Sequence, residues 1–120
     1  MTEDQAKFYF CEILSALEYL HEQDIIYRDL KPENIVLNEL GHAKITDFGL
    51  SKYNFKNKDR SNSFCGSPEY MAPEMLTIVN QEGEFSVPLT HNKSIDYYHL
   101  GALLHELLIG LPPFFSRDRD

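Results

Sequence analysis

Tyr27-Arg28-Asp29-Leu30-Lys31-Pro32-Glu33-Asn34 is the stretch on which the reading of this chain turns. It sets a carboxylate, a lysine and an amide within one short loop. Thirteen residues beyond Asn34 comes Asp47-Phe48-Gly49, a second carboxylate at the head of a Gly-containing turn. Ala72-Pro73-Glu74 closes the segment, so three short motifs stand in order within the 48 residues from 27 to 74. Such a set suits phosphoryl transfer. That chemistry takes one side chain to accept a hydroxyl proton and others to hold Mg²⁺ against the phosphates. Any one tripeptide is weak evidence; order and spacing together carry the reading.

The 120 residues leave room for about one domain. Hydrophobic residues make up 42% and charged residues 25%, ordinary for a soluble globular chain. The net charge of −8 argues against a nucleic-acid footprint, which is basic, and suits a partner rich in Arg or Lys. Cys11 and Cys65 form no spacing signature. Two thiols without a signal peptide predict a reducing setting, cytoplasmic or nuclear. No apolar run reaches the ~18 residues of a membrane span. The five histidines have no metal-ligand spacing. There is no internal repeat.

Apolar residues recur at three- and four-residue steps through Ala6, Phe10, Ile13, Leu14, Leu17 and Leu20, which predicts a helix over 3–22. Thr2 and Gln5 fit a capping box at its start. Residues 24–27 read as a short extended lead into the loop. Strands are predicted at 35–38 and 43–46, joined by a turn containing Gly41. Residues 47–74 read as loop, and 77–93 show no period. Residues 95–109 predict a second helix, apolar nearly all round and therefore a buried core helix, stopped by Gly110 and Pro112-Pro113. Ser116 to Asp120 are charged and are expected to fray.

In order and spacing the three motifs resemble a eukaryotic Ser/Thr protein kinase. Tyr27, where the family usually has His, resembles the AGC group, relatives of cAMP-dependent protein kinase. Gly41 to Lys52, Ser63 to Glu74 and Leu111-Pro112-Pro113-Phe114 are similar to the same group. The expected fold is α+β, mainly α. It is a fragment of the large, C-terminal lobe, with a short β-hairpin beside the catalytic loop.

The resemblance implies roles residue by residue. Asp29 is the catalytic base, assisted by Lys31 and Asn34. Lys31, Glu33, Asn34, Val36 and Asp47 lie around the cofactor ATP, with Asn34 and Asp47 as the Mg²⁺ ligands. Phe48 packs as an apolar wedge. Glu33, Ser67 and Glu106 bind a protein substrate, the two glutamates holding its arginines, since carboxylates pair with Arg through two hydrogen bonds; the plain alternative for the glutamates is two surface acids. Ser63 is the regulatory phosphosite, set by an upstream activating kinase and clamped by Arg28 and Lys52. Asp96 anchors the catalytic loop, and Glu74 is an anchor whose usual arginine partner has no counterpart. Cys65 reads as inert.

Two features depart from the family. The 21 residues between Glu74 and Asp96 exceed the usual interval, and Gln81-Glu82-Gly83-Glu84 reads as an exposed insertion. No two of the six glycines are spaced Gly-x-Gly, and no strand lysine precedes residue 27, so the small lobe's phosphate-covering parts are not encoded. Residues 1–120 are therefore expected to be a partial catalytic domain, lacking the small lobe and final helices and inactive in isolation. The rival expectation is a non-catalytic remnant acting as a decoy or scaffold.

Overall fold

The structure, a computed structural model, describes residues 1–61, 65–76 and 91–117. Helix α1 spans Glu3–Glu22, strand β1 Ile35–Leu37, strand β2 Ala43–Ile45 and helix α2 Ser94–Ile109. Single 3₁₀ turns lie at Pro32–Asn34, Pro68–Tyr70 and Pro73–Met75. Each opens on a proline, whose fixed φ suits a first turn where no N–H bond is needed. The architecture is a small α+β unit of two helices and one two-stranded sheet.

Helix α1 starts where the capping box predicts. Gln5 N–H donates to Thr2 Oγ1 at 3.3 Å and Thr2 N–H donates to Gln5 Oε1 at 3.1 Å. Its buried stripe is Ala6, Ile13, Leu17 and Leu20. Past the helix, Asp24 takes φ 56, a left-handed turn that aspartate tolerates. The chain then reverses so that Ile25 N–H reaches Leu20 O at 2.9 Å. Ile26 and Tyr27 point to opposite sides, as adjacent extended residues do. Tyr27 joins a core with Ile13, Leu17, Leu20, Leu30, Leu100 and Leu103. Ile26 joins a second core with Phe55, Met71, Ala72, Met75 and Ile95.

The strands pair antiparallel, with Ile35 opposite Ile45 and Leu37 opposite Ala43. Each is one residue shorter than predicted, because the two end residues have other partners. Asn38 Oδ1 accepts Leu40 N–H (3.0 Å) and His42 N–H (2.9 Å), closing the turn. Thr46 N–H donates to Asn34 O at 2.8 Å.

In α2 the prediction of burial along the whole helix needs correcting. Ile95, Asp96, His99, Leu100, Ala102 and Leu103 are buried, but Leu108 and Ile109 are 42% and 68% exposed. In the last turn Leu107 still packs against the core shared with α1 and Glu106 is held by Tyr70, while Leu108 and Ile109 face outward. Gly110 ends the helix at φ 93, donating its N–H to Glu106 O at 2.7 Å. The start of α2 is fastened by Lys93. Its Nζ donates to His21 O (2.7 Å), Asp24 Oδ1 (3.3 Å) and Asn57 Oδ1 (3.2 Å). Ser63 and the expected insertion at 81–84 lie outside the described residues.

Candidate active site

Arg28 holds φ 72, a left-handed conformation that costs a bulky residue roughly 1–3 kcal/mol. Asp96, fully buried at the head of α2, holds the strained loop in place. Its Oδ2 accepts Tyr27 N–H at 2.9 Å and its Oδ1 accepts Arg28 N–H at 2.8 Å. His21 Nε2, at the end of α1, donates to Oδ2 at 2.7 Å. The sequence reading named Asp96 and missed His21, which lies 75 residues away and belongs to no local pattern.

Downstream of this anchor the polar groups converge. Asn34, buried, donates Nδ2 to Asp29 O at 2.8 Å and to Asp29 Oδ2 at 2.9 Å. Both amide hydrogens are thereby used, which leaves Oδ1 as the hard acceptor of the Asn34 side chain. Lys31 Nζ lies 3.6 Å from Asp29 Oδ1 and donates to Ser67 Oγ at 2.9 Å. Asp29, Lys31, Asn34 and Ser67 thus form one cluster, drawn from two loops.

Asp47 is brought alongside through its neighbours. Thr46 is tied to Asn34 O by backbone and hydroxyl, and its own carbonyl accepts the Tyr27 hydroxyl. Tyr27 stacks edge-on against Phe48, centroids 5.4 Å apart. Burial, then the charges of Asp29 and Asp47, push the Tyr27 hydroxyl well above its ordinary pKa, so it is a structural donor and moves no proton. Asp47 sits at φ 57, exposed, with Oδ1 accepting Gly49 N–H at 3.1 Å. A Cβ on Gly49 would lie 3.1 Å from that oxygen, so glycine keeps the carboxylate in place. Val36, half exposed, faces outward on β1 opposite Lys44.

Among the described residues no group of three His, Cys, Asp or Glu side chains could hold a metal ion. Two hard oxygen donors, Asn34 Oδ1 and the Asp47 carboxylate, still fit Mg²⁺. That ion is commonly held by one or two protein oxygens, with phosphates and water completing its shell.

Beside Lys31 and Ser67 opens a cavity of ≈ 390 Å³ carrying Glu33, Glu69 and Glu106, with Phe115 and Pro112 on its apolar side. Tyr70 donates its hydroxyl to Glu106 Oε2 and so fixes that carboxylate. Burial and Glu106 raise the Tyr70 pKa, keeping the donor protonated. Glu33 and Glu106 were legible in the sequence. Glu69 and Tyr70 were missed, although they stand two and three residues after Ser67.

Arg28 donates Nε to Leu50 O at 2.8 Å. Lys52 is exposed, its Nζ 5.4 Å from the centre of the Phe55 ring. Glu74 is half-buried and makes no hydrogen bond or ion pair among the described residues. Burial pushes the Cys65 thiol up, outweighing the pull of Arg28, so it stays protonated near neutral pH.

This geometry meets its counterpart in known proteins. The chain is 48% identical to serine/threonine-protein kinase Sgk1 of Homo sapiens over 116 residues, 97% of this chain and 25% of that protein. It is 47% identical to serine/threonine-protein kinase YPK1 of Saccharomyces cerevisiae over 114 residues, 95% of this chain and 15% of that protein. Sgk1 of Gallus gallus matches at 48%. The chain spans a quarter or less of the length of these relatives. The family model described as protein kinase domain matches residues 1–120, and with the anchored loop, the Asp29 cluster and the Asp47 turn inside that match, the chain belongs to the protein kinase domain family, close to its AGC-type Ser/Thr members.

Proposed function

We propose that this chain supplies the large-lobe half of a Ser/Thr kinase active site that transfers the γ-phosphoryl of Mg-ATP to protein hydroxyls. The observation that carries the reading is the Asp29 cluster. Asn34 aims the Asp29 carboxylate, and Lys31 bridges from it to Ser67. Asp29 accepts the proton of the attacking hydroxyl as the new P–O bond forms. Lys31 balances charge on the transferring group. Asn34 and Asp47 are the residues that would hold Mg²⁺, which supplies charge neutralisation on the phosphates when bound. Val36 offers an apolar face for the base of ATP.

The three glutamates of the neighbouring cavity favour a substrate with Arg near its target hydroxyl. Ser63, two residues past the buried Ser61, is the regulatory position, phosphorylated by an upstream kinase and held by Arg28 and Lys52. The free thiols Cys11 and Cys65 support a reducing setting, the cytosol or nucleus.

The test is a kinase assay on the full-length protein with an Arg-containing Ser peptide. Asp29→Asn is expected to abolish nearly all transfer while ATP affinity holds, because it removes a base and no phosphate ligand. Near wild-type kcat in Asp29→Asn overturns Asp29 as the base, and an unmodified full-length protein that gives no transfer leaves a scaffold role in place of the reading.

A further inference from the structure

Lys93, the residue before α2, is buried, with 8% of its surface exposed. Its ammonium has three hydrogens, and three acceptors meet them: His21 O at 2.7 Å, Asn57 Oδ1 at 3.2 Å and Asp24 Oδ1 at 3.3 Å. Of these only Asp24 carries a charge. A buried ion pair adds little net stability over an apolar side chain of similar size, and a fixed lysine gives up much rotamer freedom. What the arrangement does deliver is position, because three directed bonds fix three stretches of chain to one point.

Each stretch leads straight to the catalytic loop. His21 is gripped twice, at its carbonyl by Lys93 and at its ring by Asp96 Oδ2, 2.7 Å away. Lys93 O accepts Asp96 N–H at 3.2 Å, so the same residue also sets the first turn of α2. Asp24 stands at φ 56, its carbonyl accepting Phe55 N–H at 2.7 Å. Two residues on, Ile26 and Lys52 exchange backbone bonds of 3.0 Å, and the next two N–H groups, of Tyr27 and Arg28, are those that Asp96 accepts. Asn57 follows the buried Phe55 by two residues and brings in the segment 52–57, downstream of Asp47-Phe48-Gly49. The strained φ of 72 at Arg28 persists only while its surroundings over-determine it. Lys93 ties together the two parts that do so, the Asp24 turn and the start of α2.

We infer that Lys93 is a positioning residue for Asp29, and that through Asn57 it makes the placing of the catalytic loop depend on the segment 52–57. The inference rests on the kinase reading for the reaction that is served, and on the bonds themselves for the tie. All three Nζ donors are bound away from the Asp29 cluster, so Lys93 acts through Asp96 and the Asp24 turn. A loop that drifts carries Asp29 away from the attacking hydroxyl, and a misplacement of about 1 Å can cost on the order of a hundredfold in rate. Such a loss falls on kcat, because the base is engaged in the transition state and not in binding.

The experiment compares Lys93→Met, Lys93→Arg, Asn57→Ala and the Lys93→Met/Asn57→Ala double variant in the full-length protein. Thr2→Ala, at the far end of α1, controls for lost stability. Transfer to an Arg-containing Ser peptide and amide exchange over residues 24–30 are read well below the unfolding temperature of each variant. In Lys93→Met kcat is expected to fall about tenfold while KM for ATP and for peptide hold, and exchange over 24–30 to quicken. Lys93→Arg keeps the charge and the donors and should recover most of the loss. Asn57→Ala should lower kcat less, and should add little on top of Lys93→Met, since the two changes remove one shared bond. Thr2→Ala should leave kcat as it is. A wild-type kcat in folded Lys93→Met overturns the inference, as does a fall that Thr2→Ala matches. Additive losses in the double variant overturn the part given to Asn57. If Lys93→Met does not fold, Asn57→Ala decides, and an unchanged kcat there overturns the proposal. If the unmodified protein transfers no phosphoryl group, the kinase reading fails and exchange alone judges the tie. Quickened exchange over 24–30 in Lys93→Met, reversed in Lys93→Arg, then supports it, and equal exchange overturns it.

Discussion

Asp96 carries more of this site than any residue that touches the chemistry. Its carboxylate accepts from two backbone N–H groups and from His21 in full burial. Asp96→Ala leaves those donors unpaired and releases the strained φ at Arg28. It should cost on the order of 3 kcal/mol or more in urea unfolding. Asp96→Asn retains one acceptor oxygen and should cost clearly less. Equal losses would show that the two-oxygen geometry is not what matters. The anchoring aspartate was legible because Asp96 and Gly101 sit in a recognisable motif.

His99 was not legible, because nothing in the sequence marks a histidine whose two ring nitrogens are both buried without a partner among the described residues. Burial pushes its pKa below 6.5, against the opposing charges of Asp96, Asp29 and Glu74. The unfolded chain therefore binds a proton that the fold refuses. Stability is full above pH 6.5, falls as pH drops below it, and levels off beneath the folded pKa. His99→Ala should flatten part of that acid limb, read as the slope of unfolding free energy between about pH 5 and 6.5. The buried His91 titrates in the same direction and leaves a residual slope. An unchanged slope in His99→Ala would assign the whole limb to other groups.

At the scale of elements, the two helices show what periodicity can and cannot give. α1 was readable to the residue because its signals are local: a stripe at helical spacing and a reciprocal cap. Leu17, fully buried between α1 and α2, should cost about 2–5 kcal/mol as Leu17→Ala, whereas Thr2→Ala at the cap should cost only about 1 kcal/mol. Thermal unfolding of the two variants checks the ratio. Similar losses would mean that the cap, not the packing, holds the helix. For α2 the apolar pattern gave the limits but not the covered length, because burial depends on what packs against each turn. Lys93 explains where the cover comes from. One ammonium joins the end of α1, the turn at Asp24 and Asn57 to the start of α2, a tie among residues far apart in sequence.

At the scale of the whole molecule, the principal extents are 52 × 37 × 20 Å. The shortest is about two helix diameters, so the chain is a slab with little depth in which to hide apolar surface. Leu111, Phe114, Phe115 and Ile109 lie at least 48% exposed at one end, and Val36 and Leu37 are about half exposed on the hairpin. The Asp29 cluster, with Asp47, sits beside that hairpin and offers the proposed transfer a carboxylate, a cation and hard oxygen donors. It supplies no glycine-rich cover for phosphates and no strand lysine to pair with them, since neither is encoded in these 120 residues. Positioning of the γ-phosphoryl accounts for much of the rate in phosphoryl transfer, and residues 1–120 carry neither of these two positioning groups. Residues 1–120 alone are therefore expected to give no measurable ATP turnover on an Arg-containing peptide. They should also bind a hydrophobic dye at low denaturant and unfold over a broad range, as exposed apolar patches favour association. The decisive measurement sets turnover beside unfolding cooperativity on the same preparation. A sharp transition without turnover would mean that the slab folds soundly and lacks only its phosphate-binding partner groups; a sharp transition with turnover would mean that this face closes over ATP by a route its residues do not suggest.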